Sequence, residues 1–210
     1  MKFSKFARLA KIVDQPDGTL FVYGLVTAEQ PDLDHEVLDY SKSKPFFMKK
    51  VEDTKKATSV AGMEQSIFPL REMHALKAIG AGRTIDFDDA AKTISMGFNV
   101  VDPDAILKFK KGVLTGFSIG GDYLKPADWP TVKIKDPVHK GCVRYVANPG
   151  EVSGVDSPCL PIALVESMKA HKFEHVKLDG STTMRKYYIG KRKPEEKPLN
   201  LHIDASQVAA

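Results

Sequence analysis

The sequence predicts an α+β fold in which strands dominate and helices are not interleaved with them. Three observations lead there. Strand-like apolar runs separated by turn signals fill the first half of the chain. One short segment, Pro103 to Lys111, carries both ends of a helix in its sequence. The repeated βα pattern of a doubly wound sheet is missing.

Taken in order, Phe3 to Val13 and Leu20 to Val26 form an expected hairpin around Gln15-Pro16-Asp17-Gly18. There the proline fixes φ, and the glycine supplies the left-handed position of a tight turn. The polar segment Glu29 to Asp39 follows, and Ile67 to Arg71 and Ile79 to Phe87 read as two further strands with His74 between them. In the helix, Asp102 is the N-cap, Pro103 occupies the first turn, and Gly112 marks the stop. Ala105, Ile106 and Phe109 give it a buried face, while Lys108, Lys110 and Lys111 complement the negative end of its dipole. Gly112 to Ile119 alternates like a strand, with glycines that leave room for another backbone, where a peptide substrate would need to sit. A connection rich in proline, with Pro126, Pro130 and Pro137, leads to strands over Cys142 to Ala147 and Glu151 to Val155. Leu164 to Phe173 is an expected helix. Residues 1–180 are read as one domain and 181–210 as a polar tail or linker.

Composition excludes several classes. A chain of 210 residues supports about one domain. Its apolar runs fall far short of the roughly twenty residues of a membrane span, and lysines and arginine break up the N-terminal apolar residues, so neither membrane insertion nor export is expected. The net charge of +4 is mild and its basic residues are dispersed, which speaks against nucleic-acid binding. Two cysteines, Cys142 and Cys159, suit a reducing compartment better than a disulfide scaffold. His139 and Cys142 have a ligand-like spacing, but the second pair of a zinc site is missing, so neither metal nor cofactor is expected. Asp32, Asp34, Glu36 and Asp39 could hold a cation or simply form a solvated loop. Met63, Met73 and Met96 read as fillers of gaps in the core.

Gly116-Phe117-Ser118-Ile119-Gly120 matches the Gly-x-Ser-x-Gly signature of a nucleophile elbow. The elbow needs a helix directly after the serine, whereas Gly121 to Pro126 carries no helical period. A serine on a strand can still act if a base reaches its hydroxyl, and His74 upstream is the candidate base. The residues alone equally permit a packed histidine and a small structural serine.

Four segments narrow the choice: Phe68 to His74, Val100 to Ala105, Gly112 to Gly121, and Glu151-Val152-Ser153-Gly154-Val155-Asp156-Ser157-Pro158. In order and spacing, over roughly residues 20 to 168, they resemble the phage prohead (capsid maturation) proteases, in particular the branch of XkdF-like serine proteases. The resemblance implies an assemblin-like fold, a β-barrel core with surrounding helices. It makes Ser118 the nucleophile and His74 the general base of a serine endopeptidase. For the third member it points to an acidic or histidine side chain on a later strand: Glu151 is the first choice, Asp156 the next, and His139 a further one. It also implies capsid and scaffold proteins as substrates, a homo-oligomer, and action in the host cytoplasm inside the assembling prohead. The tail would then be a tether or a self-cleavage site. Two readings of other classes stay open at this point: a catalytically inactive capsid-assembly factor, and a strand-addition peptide-binding module of the same fold.

Overall fold

The computed structural model describes residues 2–60, 62–157, 175–176 and 182–183. The helix expected over Leu164 to Phe173, most of the polar tail, and Cys159 lie outside the described residues. Contacts divide the chain into two units, residues 1–170 and 171–210. In the second unit, the two-residue strands His175–Val176 (β10) and Thr182–Thr183 (β11) pair antiparallel.

In the first unit the expected hairpin forms between β1 (Lys2–Asp14) and β2 (Leu20–Ala28), with Gly18 at φ 83° in its turn. A short β3 (Glu36–Leu38) leads into α1 (Tyr40–Ala57), a helix to which the sequence reading assigned no residue. β4 (Pro69–Glu72), β5 (Ala78–Asp88) and β6 (Thr93–Val100) form a meander, of which β6 was likewise not anticipated. Helix α2 (Pro103–Lys110) follows, capped as expected by the Asp102 carboxylate accepting from the Ala105 N–H at 2.7 Å.

The serine strand, β7 (Gly116–Leu124), begins later than expected. Gly112 is in the left-handed region at φ 70°, and the N–H groups of Val113 and Leu114 return to the Lys108 carbonyl, so these residues finish the helix before the ladder starts. After the short β8 (Lys133–Lys135), the two strands expected between Cys142 and Val155 are one, β9 (Val143–Val155). A register shift opposite Gly120 and Gly121 absorbs one extra residue at Gly150.

Seven strands close on themselves in the order β9-β4-β5-β6-β2-β1-β7, with β7 returning to β9, and β3 and β8 extend the other end of β9. The expected α+β fold, a β-barrel core with helices around it, is the one observed. Alternation along each strand sends Val22, Ile94, Met96, Phe98, Phe117, Ile119 and Val152 into the barrel, all fully buried. The rings of Phe98 and Phe117 meet there, with centroids 5.0 Å apart. Met96 fills this core, but Met63 and Met73 are exposed, contrary to the reading of all three as core fillers.

Helix α1 covers one side with Tyr40, Ser43 and Phe47, and the Ser43 hydroxyl accepts from the Ala147 N–H of β9 at 3.0 Å. Its N-cap is Asp39, whose carboxylate accepts from the Lys42 N–H at 2.9 Å. No helix among the described residues is long and apolar enough to cross a membrane.

Candidate active site

His74 stands in the turn between β4 and β5. Met73 and His74 are consecutive non-glycine residues at positive φ, 48° and 57°, a conformation that costs on the order of 1–3 kcal/mol per residue and persists only where its surroundings impose it. Two hydrogen bonds to β9 do so: Met73 N–H donates to the Gly154 carbonyl, and His74 N–H donates to the Ser153 hydroxyl, each at 3.0 Å. The turn is also held from the helix side. Glu72 pairs with Lys108 of α2 and with Lys77 at 2.8 Å, while Lys77 reaches Asp102 at 3.4 Å. Hydrogen bonds from Lys108 and then Lys77 hold the Glu72 carboxyl below its usual range. The imidazole is therefore placed by a backbone fixed on both sides.

The remaining side chains come from β7 and β9. These strands run antiparallel with Ser118 opposite Ser153 and Gly120 opposite Glu151, so period-2 alternation puts all four on the face turned away from the barrel interior. His74 bridges them. Its Nε2 lies 2.7 Å from the Ser118 Oγ, and its Nδ1 lies 2.7 Å from the Glu151 Oε1. An ionised carboxylate can only accept, so it selects the tautomer with the proton on Nδ1 and the Nε2 lone pair towards the Ser118 hydroxyl. The other oxygen of Glu151 accepts from the Ser153 hydroxyl at 2.7 Å. Both carboxylate oxygens are thus committed.

Gly120 makes room for this arrangement. A Cβ there would collide with the Glu151 carboxylate and approach His74 Nδ1 to 3.1 Å. Ser118 and Ser153 are fully buried, the Glu151 side chain is 8% exposed, and that of His74 is 26% exposed. Solvent reaches the imidazole but not the hydroxyl.

The backbone that the glycines admit is the chain's own. β7 is paired with β9 along one edge and, from Gly116 to Asp122, with residues 2–8 of β1 along the other. The space expected for a substrate backbone beside this strand is therefore occupied, with Phe6 directly opposite Ser118 in register.

The structure brings Ser118, His74 and Glu151 together. It leaves the two alternative third members elsewhere. Asp156 lies in the bend after β9, its carbonyl accepting from the Thr115 hydroxyl at 2.7 Å, and His139 pairs through Nδ1 with Asp136 at 3.0 Å. The acidic cluster is used within the fold: Asp32 accepts from the Asp34 and Glu36 N–H groups, Glu36 pairs with Lys133 and Tyr123, and Asp39 caps α1. Among the described residues no group of histidine, cysteine and acidic side chains is arranged to hold a metal ion. As expected, no helix follows Ser118, since β7 continues to Leu124. Sequence reasoning missed Ser153 and Gly120 as parts of the site. The signal was present, because Ser153 is two residues beyond Glu151 and so shares its strand face.

The sequence matches no family model and no curated protein. Among solved structures, the chain is similar to the bacteriophage T4 capsid assembly protease gp21. The TM-score is 0.51 and the identity 10%, and the match covers 77% of this chain and 98% of that one. At that identity the similarity is one of fold alone: the barrel and helices described above resemble those of that protein.

Proposed function

We propose that the protein is a serine endopeptidase that cleaves capsid and scaffold proteins during phage prohead maturation, inside the assembling shell in the host cell, and that it belongs with the XkdF-like branch. One observation carries the chemistry: a single imidazole has a serine hydroxyl at one nitrogen and a buried glutamate at the other, both at 2.7 Å. The capsid assembly protease fold supports the substrate class and the location.

In this reading one imidazole moves each proton of the reaction. Ser118 Oγ attacks the scissile carbonyl carbon as its proton passes to His74 Nε2, and the C–O bond that forms leaves a tetrahedral oxyanion. Collapse breaks the C–N bond, and the same Nε2 proton goes to the departing amine. Water, deprotonated by His74 in turn, adds to the acyl carbon; collapse then breaks the bond to Ser118 Oγ, to which Nε2 returns the proton, releasing the carboxylic acid and the free serine. Glu151 stabilises the imidazolium present between these transfers and holds the ring in its productive tautomer.

The test is incubation of purified protein with its cognate scaffold and capsid proteins, beside Ser118→Ala and His74→Ala. Cleavage is expected to fall by about 10⁴-fold or more in either variant, and the two losses should not add. Wild-type cleavage by Ser118→Ala would overturn the assignment. Mass spectrometry of the chain's own termini in wild type and Ser118→Ala tests self-cleavage in the same experiment, identical termini excluding it.

The complete burial of Ser118 favours a second reading, a catalytically inactive capsid-assembly factor of the same fold. A fluorophosphonate probe distinguishes the two: covalent labelling at position 118 belongs to the peptidase, and its absence together with uncleaved scaffold belongs to the assembly factor.

A further inference from the structure

We infer that Ser153 is a positioning residue for the reaction, coupling the carboxylate and the backbone of the base through one hydroxyl. The inference rests on the peptidase reading above. Ser153 Oγ donates to Glu151 Oε2 at 2.7 Å and accepts from the His74 N–H at 3.0 Å, and the residue is fully buried. A buried hydroxyl with one donor and two acceptor positions can serve both partners at once.

The two contacts act on different freedoms of the base. The first fixes the carboxylate plane, so that the oxygen not bound to Ser153 faces Nδ1. The second anchors a residue held at φ 57°, where the turn by itself disfavours the conformation. Removing the hydroxyl leaves the His74 N–H and one oxygen of Glu151 without this partner, in a place where unsatisfied polar groups are costly. Both consequences fall on the direction of the imidazole rather than on the binding of a peptide. Loss is therefore expected in kcat, with KM little changed.

The experiment compares Ser153→Ala with wild type, and the double variant Ser153→Ala/Glu151→Gln with Glu151→Gln alone, using scaffold cleavage and fluorophosphonate labelling of Ser118 as readouts. Ser153→Ala should lower kcat and the labelling rate by about 10- to 100-fold, the range for a group that orients a catalytic residue. On the Glu151→Gln background the same change should lower them by a clearly smaller factor, because the part of the loss that passes through the carboxylate is already spent and only the anchor on the His74 N–H remains to be lost.

Wild-type kcat in Ser153→Ala would overturn the inference, as would an equal fold-loss on both backgrounds, which is what a purely structural serine gives. If Ser153→Ala does not fold, Ser153→Cys carries the comparison, since a thiol has similar shape but is a weak donor and acceptor. Ser153→Thr, which restores the hydroxyl, should recover most of the rate; no recovery in folded protein counts against the role. Failure of this inference is separable from failure of the peptidase reading: an inactive Ser118→Ala beside a fully active Ser153→Ala sinks only the former.

Discussion

At the scale of single residues, the site depends on what is absent at position 120 as much as on what is present at 74, 118 and 151. Glu151 lies opposite Gly120 on the outer face, and its carboxylate occupies the volume a side chain would take. Gly120→Ala should therefore displace the carboxylate from Nδ1 while leaving the barrel interior untouched. We expect cleavage to drop by at least about tenfold, with an overpacking cost of about 1–3 kcal/mol. Kinetics alongside circular dichroism separate the two effects. The sequence could put forward His74 and Ser118 as candidates, because a Gly-x-Ser-x-Gly strand and an upstream histidine are visible without coordinates. It ranked Glu151 ahead of Asp156 and His139 only through the family resemblance, because the residues alone do not show which position of β9 stands opposite Gly120, a matter of register between distant strands.

At the scale of elements, local chemistry decided what could be read. Helix α2 has an aspartate cap, a proline in its first turn and a glycine after its end, and it forms where expected. Helix α1 carries Pro45 within its span and buries only Tyr40, Ser43 and Phe47, so neither propensity nor an apolar stripe announces it; contact with β9 sustains it. β6 has a clear period of two in Ile94, Met96, Phe98 and Val100, weakened by Gly97 at its centre.

The two caps give a comparison at this scale. Asp102→Ala and Asp39→Ala should each destabilise the protein by about 1 kcal/mol, measured as a shift in urea midpoint at unchanged slope. Asp39→Ala should be the costlier, since Asp39 also faces the buried Arg144 at 3.7 Å, whereas the further partner of Asp102, Lys77 at 3.4 Å, is exposed.

At the scale of the whole molecule, stability is tied to pH through the loop joining β8 to β9. Burial opposes ionisation of Asp136, but the N–H groups of His139 and Val138 and the Arg144 guanidinium at 2.8 Å outweigh it, and the carboxyl is lowered to about 2. A carboxyl lowered by folding contributes stability that is complete above its unfolded value near 3.8 and is lost as pH falls through the folded one. Asp136 should therefore contribute about 2 kcal/mol near neutrality that disappears between about pH 4 and pH 2. Denaturation series at several pH values on wild type and Asp136→Asn would check this: the variant should show a shallower loss across that window, and parallel curves would refute it.

The closed ring of strands also sets the terms on which a peptide can be held. Both ladders of β7 are already filled, one by β9 and the other by the first residues of β1. A ligand that hydrogen-bonds along the serine strand can do so only as an exchange, surrendering one internal backbone bond for each one gained. Its affinity then measures a difference between two nearly equivalent partners, and selectivity falls to whichever side chains the incoming segment seats better than the strand it replaces.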